Sequence, residues 1–180
     1  SVLAHSKEIT NLISNKLNCL EFNYNTRIPI KNLYKTPDTL GNDRLAGAVG
    51  ANARFKDKPV LIIDAGTCLK FDFVNEKGEY LGGAISPGLE MRFKALNTFT
   101  DRLPFVSSDI EFESLTGGNT RESILSGVQN GMIQELKGVI NEYKTQYPHL
   151  QTVLTGGDWQ FFENGLKNSI FAAPYLVMEI

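Results

Sequence analysis

Cysteine and histidine are scarce, with two of each in 180 residues. Cys19 and Cys68 are too few for a disulfide framework or a thiolate zinc site, and they read as reduced thiols of a cytoplasmic protein. His5 and His149 stand far apart, without metal-ligand spacing, and read as surface residues. An excess of one charge is also missing. Lys and Arg number 18 against 20 Asp and Glu, a net charge of −2, so no basic field exists to hold nucleic acid or an anionic membrane surface. Apolar runs are short, as in Val60-Leu61-Ile62-Ile63, where a membrane span needs about 20 such residues. The first residues carry no positive stretch followed by an apolar one, so no secretory signal is expected. There is no starting Met, and Ser1 reads as a processed end or the first residue of a fragment. No Gly is followed directly by Lys, which excludes a Walker phosphate loop, and the dinucleotide-binding Gly pattern is absent.

What is present is the composition of a globular chain. Hydrophobic residues make up 42% and charged residues 21%, which excludes general disorder. The length fits one domain or two small ones and allows about 70% of the unfolded surface to be buried. Ile9, Leu12, Ile13 and Leu17 fall on one face of a helix expected over 6–17, with Ser6 as its cap. A second helix is expected from 41–43 to about Phe55, capped by Asn42 or Asp43, with Leu45, Ala48 and Val49 inward. After the polar break Lys56-Asp57-Lys58-Pro59 comes the strongest β pattern. It consists of a buried strand at 60–63, a tight turn at 64–67, a strand at 69–74, a second turn and a strand at 79–85. In the middle strand Leu69, Phe71 and Phe73 alternate with Lys70, Asp72 and Val74. The pattern predicts a three-stranded antiparallel meander. Ser86-Pro87 reads as a helix start, with Leu89, Phe93 and Leu96 inside. Asn119 with Glu122 reads as a capping box opening a long helix, lined by Leu125, Val128, Met132, Leu136, Val139 and Tyr143. A strand at 152–154 and a helix over 158–166 follow, whose Trp159, Phe161 and Phe162 read as core. A meander followed by alternating helices and strands argues an α/β fold.

The residues able to do chemistry sit at the ends of these elements. Asp64-Ala65-Gly66-Thr67 closes a hairpin. Such a turn offers backbone N–H groups and a hydroxyl to a phosphate, and its carboxylate can hold a cation; Asp and Gly are also ordinary turn residues. In Gly41-Asn42-Asp43-Arg44, Asp43 could accept a proton from a hydroxyl and Arg44 could grip an anion. The plainer alternative is a capping Asp beside a solvated Arg. Gly82-Gly83-Ala84-Ile85-Ser86-Pro87-Gly88 permits close approach of a ligand or of another backbone. Gly156-Gly157 follows a strand at its carboxyl end, where open α/β sheets bind ligands.

Taken in order, these segments resemble the type III pantothenate kinases. Tyr34, seven residues ahead of Gly41-Asn42-Asp43-Arg44, is similar to that family's substrate-binding stretch, and the 64–67 turn with Asp72 to its second phosphate-binding turn. The 82–88 segment, Thr100-Asp101-Arg102-Leu103-Pro104, Gly118-Asn119-Thr120 and Thr155-Gly156-Gly157 complete the series, from about residue 30 to the end. The resemblance implies an actin-like ATPase, ribonuclease H-like α/β fold of the sugar kinase, Hsp70 and actin superfamily, in two related domains. Residues 1–58 would be the remainder of the N-terminal domain and 59–180 the C-terminal one. It implies phosphorylation of pantothenate by ATP, the first step of coenzyme A biosynthesis, in a homodimer using Mg2+ and a monovalent cation, K+ or NH4+. By the same resemblance Asp43 is the catalytic proton acceptor, and Tyr34, Gly41, Asn42, Asp43, Arg44 and Thr120 contact pantothenate. Gly66, Thr67, Gly156 and Gly157 would contact ATP, and Asp64 would hold the monovalent cation. The family's opening strand and its Asp-x-Gly-Asn-Thr phosphate turn are not found in this sequence, and its last helix extends past Ile180. A fragment inactive by itself is therefore expected, or else a native short form acting as a non-catalytic regulator. A third reading is a kinase for another small hydroxyl substrate, such as a sugar or acetate. The stretch from Tyr34 to Arg44 argues against it.

Overall fold

The computed structural model describes residues 15–17, 22–23, 25–166 and 170–178. The helix expected over 6–17 lies outside the described residues except for 15–17, which form a turn, and Cys19 and His5 also lie outside. Among the described residues one sheet contains β1 (Lys31–Asn32), β2 (Val60–Ala65), β3 (Cys68–Val74), β4 (Glu79–Pro87), β5 (Gln151–Thr155) and β6 (Phe171–Ala172). Their order is β1-β4-β3-β2-β5-β6. β2, β3 and β4 pair antiparallel as the expected meander, while β5 joins β2 and β6 joins β5 in parallel. A meander extended by parallel strands on the side of its first strand is the ribonuclease H-like arrangement, so the fold class implied by the resemblance is the one observed.

β2 lies inside the sheet and its first four residues are all buried, which is why it reads as an unbroken apolar run. β3 uses its alternation differently. Leu69, Phe71 and Phe73 join one core with Leu61, Ile63, Leu125, Leu136 and Phe162, under α2 (Leu89–Thr98), α3 (Thr120–Leu125), α4 (Gly131–Gln146) and α5 (Trp159–Glu163). Val74 faces the other side, where Val60, Ile62, Tyr80 and Val153 meet Leu45, Ala48 and Val49 of α1 (Asn42–Arg54). Because side chains alternate across a strand, Asp64, Lys70 and Asp72 are carried to this same α1 side. Among the described residues no helix is long and apolar enough to cross a membrane.

Three local expectations need correction. Ser86 and Pro87 do not open a helix: they end β4, opposite Leu69 and Cys68, and α2 begins at Leu89 after Gly88. β1 pairs with β4 only at Glu79 and Tyr80, so this end of β4 is a sheet edge, and an edge tolerates a residue without an N–H. Neither Asn42 nor Asp43 caps α1. Gly41 holds that position, with no side-chain cap. The long helix after Asn119 is divided by a π-helical turn, Ser126–Asn130.

Asn119 caps α3 as expected, its side chain accepting the Glu122 N–H at 3.0 Å, but the return bond is displaced by one residue: the Glu122 carboxylate accepts the N–H of Gly118, at 2.7 Å, rather than that of Asn119. Asn119→Ala should therefore lower stability by about 1 kcal/mol, read as a shift of the urea midpoint with unchanged slope.

Candidate active site

Helix α1 brings two charged side chains onto the meander at its first turn. Asp43 reaches Lys70, with Nζ 2.7 Å from Oδ2, and the same ammonium lies 2.6 Å from Asp64 Oδ2. The pairing is dictated by register, since a hairpin turning at 66–67 sets Asp64 directly opposite Lys70. The side chain at position 41 must be absent for this geometry, because a Cβ there would sit 2.6 Å from Asp43 Oδ1. Burial works against the charge on Asp43. The Lys70 ammonium and the Arg44 backbone N–H outweigh it and hold the carboxyl below its ordinary value. Burial likewise works against the charge on Lys70, and the two carboxylates outweigh it and push the ammonium up.

One residue further along the helix, Arg44 is buried at 7% exposure against Asp72 at 2%. Its Nε and Nη2 both donate to Asp72 Oδ1, at 3.0 and 2.7 Å, and the Tyr80 hydroxyl donates to the same oxygen at 2.5 Å. Burial works against the charge on Arg44, but Asp72 more than offsets it and holds the guanidinium above its ordinary value. Burial pushes Asp72 up, and Arg44 and Tyr80 pull it back only in part. The Tyr34 ring lies 5.6 Å from the guanidinium carbon and packs over Gly82. Arg44 is thus neither a solvated charge nor an open anion fork: its Nε and Nη2 edge is engaged.

The 64–67 turn is gripped from two sides. A Cβ on Gly88 would lie 2.1 Å from the Gly66 carbonyl oxygen, so the last glycine of the 82–88 segment, directly after β4, makes room for another backbone, namely this turn. On the opposite side Gly156 has φ +95°, and a Cβ there would lie 2.3 Å from the Ala65 carbonyl oxygen and 2.5 Å from Asp64 Oδ1. The Asp158 N–H then donates to Ala65 O at 2.9 Å. Gly66, Thr67 and Gly157 share a cleft of about 480 Å3 with Glu90, Lys94 and Asp158. Burial and the nearby Glu90 raise the Asp158 carboxyl.

The structure therefore brings Asp43, Asp64, Gly66, Thr67, Gly156 and Gly157 together at the carboxyl ends of β2 and β5, while Gly41 and Asn42 open α1 beside Asp43, and Arg44 and Tyr34 lie further along the meander, against Asp72 of β3 and Gly82 of β4. Thr120 is elsewhere. It lines a separate groove of about 830 Å3 with Arg92, Leu96, Phe99, Leu103 and Ile124. Sequence reading missed Lys70 and Asp158. Lys70 was legible in principle, as a polar residue of a buried strand paired with Asp64 across a short turn. Asp158 carried no local pattern. Among the described residues no three His, Cys, Asp or Glu gather to hold a metal ion. A monovalent cation does not fit beside Asp64 Oδ2, because Lys70 Nζ is already there.

Gly156→Ala combines strained φ with a backbone collision and should cost about 1–3 kcal/mol. Gly157→Ala, whose Cβ would meet nothing within 4 Å, should stay within about 0.5 kcal/mol of the native protein. Urea unfolding of the two variants checks the difference.

A family profile described as type III pantothenate kinase matches residues 2–142. The type III pantothenate kinase of Phocaeicola vulgatus is 45% identical over 183 residues, covering 99% of this chain and 75% of its own. That of Christiangramia forsetii is 45% identical over 179 residues, covering 99% and 73%. Among solved structures, a Campylobacter jejuni protein described provisionally as a conserved Baf family transcriptional activator superposes with a TM-score of 0.61 at 20% identity. It covers 96% of this chain and 74% of its own, a likeness of fold alone. The profile and the relatives together identify the chain as a member of the type III pantothenate kinase family.

Proposed function

We propose that the protein transfers the γ-phosphoryl group of ATP, taken up as its magnesium complex, to the primary hydroxyl of pantothenate. The products are 4′-phosphopantothenate and ADP, and the step is the first of coenzyme A biosynthesis. Family membership supports the choice of substrates. The observation that carries the reading is the meeting of Asp43 with the 64–67 turn through Lys70, at the carboxyl ends of β2 and β5. Phosphoryl transfer asks a protein mainly for positioning and for charge complementarity. The Gly66 N–H is engaged by the Cys68 carbonyl, and the exposed Thr67 hydroxyl, with Gly156 and Gly157 alongside, is suited to the nucleotide's phosphates. Asp43 is suited to the acceptor hydroxyl.

In the reaction the hydroxyl oxygen bonds to the γ-phosphorus as the bond to the β–γ bridging oxygen breaks. The hydroxyl proton passes to Asp43. A carboxylate whose pKa lies below the ordinary range is a weak base, so it accepts the proton late, once bond formation has made the oxygen acidic. Tyr34, Gly41, Asn42 and Arg44 are assigned to pantothenate, with Arg44 acting through the Tyr34 ring it holds in place. No step is assigned to a separate monovalent cation at Asp64. The division at 58/59 is proposed as the border between an N-terminal and a C-terminal ribonuclease H-like unit. The cytoplasm, where ATP is available, is proposed as the working compartment.

The test uses the complete gene product. ADP release should depend on pantothenate and fall by about 100-fold or more in Asp43→Asn, with the far-ultraviolet circular dichroism unchanged. ADP release indifferent to pantothenate would sink the substrate assignment, and a fully active Asp43→Asn would remove Asp43 from its role.

A homodimer is proposed as well, and the Thr120 groove supports it. Phe99 at its edge is 85% exposed, and a second copy laid there would cover it. Such a copy would also draw Thr120 into a site completed between protomers. Light scattering should give twice the chain mass for the native protein and the single mass for Phe99→Asp. A native protein at the single mass refutes the dimer.

A further inference from the structure

Lys70 is a cation that the sequence builds into the middle of the site. Its side chain is only 13% exposed, and its ammonium lies between Asp43 and Asp64 at 2.7 and 2.6 Å. The strand fixes its place, because β3 pairs on both sides, with Asp64 opposite Lys70 on β2 and Ile85 opposite it on β4. Two carboxylates converging on one point in a half-buried site repel each other unless a positive charge stands between them. A dissolved monovalent ion can supply that charge only as far as its concentration and affinity allow. A tethered ammonium supplies it at high effective concentration. It brings one unit of charge and three N–H donors on a four-carbon stem, so it presents nearly the same chemistry as an ammonium ion.

We propose that the Lys70 ammonium is this protein's resident monovalent cation. It is a positioning residue that neutralises Asp64 beside the phosphate turn and aims Asp43 at the acceptor hydroxyl, so that turnover requires neither potassium nor ammonium. The inference rests on the phosphoryl-transfer reading for its role in turnover. The occupancy of the site by Lys70 can be tested without it.

Two readouts separate these parts. In the first, melting temperatures are measured at one ionic strength in sodium, potassium and ammonium chlorides. The native protein should melt at the same temperature in all three. Lys70→Ala, which leaves room between the carboxylates, should melt higher in potassium or ammonium than in sodium. In the second, ADP release by the complete gene product is followed in the same salts. The native rate should agree within about twofold across them. Lys70→Ala should lose about tenfold or more in sodium and recover in potassium or ammonium. A merely structural lysine would show no such rescue by an ion. Lys70→Met, which fills the space without charge, should be slow in every salt.

Potassium stimulating the native protein about tenfold, or Lys70→Ala matching the native rate in sodium, overturns the proposal. So does a folded Lys70→Ala that no monovalent ion restores. Should that variant fail to fold, the native protein's response to the identity of the cation decides alone. Absence of pantothenate-dependent turnover in every salt counts against the phosphoryl-transfer reading, and the melting comparison then decides for Lys70.

Discussion

A buried guanidinium and carboxylate fix the site in place. Arg44 at the first turn of α1 and Asp72 in the middle strand are both removed from water. Either charge alone would be costly there, and removing one partner of such a pair typically costs about 3–5 kcal/mol. The pair itself need not add net stability, since desolvation consumes most of the attraction. What it contributes is uniqueness. Two donors of one planar group meet a single carboxylate oxygen that also accepts the Tyr80 hydroxyl. Sliding α1 by one residue along the sheet would break both guanidinium contacts and leave the Asp72–Tyr80 bond without its charge partner. With α1 pinned, the residue before Arg44 has one place to go, and that place is beside Lys70 and Asp64.

The second constraint is steric. The 64–67 turn must keep its shape with little help from its own small side chains. Here it is wedged between two backbones that approach too closely for any residue but glycine, Gly88 on one side and Gly156 on the other. The two glycines come from segments nearly 70 residues apart, at the ends of β4 and β5. The turn thus depends on the whole sheet being assembled, and rigidity is imported from the core rather than made locally. Its neighbour Gly157 has open space around its Cβ position and lines the cleft, which separates a packing glycine from one that faces solvent or ligand.

Much of this was legible in the sequence because strand periodicity carries it. The run at Val60 and the alternation from Leu69 to Val74 gave the meander and its two faces correctly. Leu89, Phe93, Leu125, Met132 and Leu136 went to the core as their spacing required. What failed did so for identifiable reasons. Pro87 imitates a helix start, but an edge strand tolerates it equally well, and only the sheet order tells which. Asn42 and Asp43 have the chemistry of caps, yet Asp43 finds a stronger partner in Lys70, and Gly41 is left at the cap. The π turn at Ser126–Asn130 keeps the apolar spacing of a helix nearly intact, so periodicity hides it. Arg44 looked like a surface anion grip because nothing local announces a buried partner 28 residues later. Long-range pairing of charges is the information that a pattern read along one chain does not contain.

The trio of Asp43, Lys70 and Asp64 has a consequence for the direction of proton flow. Before reaction it carries two negative charges and one positive, a net of −1 beside the phosphate turn. The ammonium beside Asp43 holds that carboxyl below its ordinary value and makes it a weak base. In the proposed reaction, the acceptor oxygen's proton becomes acidic enough for Asp43 to take once that oxygen has bonded to phosphorus. Asp43 is then neutral, and Lys70 is left to pair with Asp64 alone. The trio passes from −1 to zero in the same event that leaves a newly charged ADP oxygen nearby. Proton acceptance thereby reduces the repulsion that the leaving group meets. On that proposal one half-buried lysine links the two halves of the chemistry, because the charge that restrains the base in the ground state stays with Asp64 once the base has taken the proton.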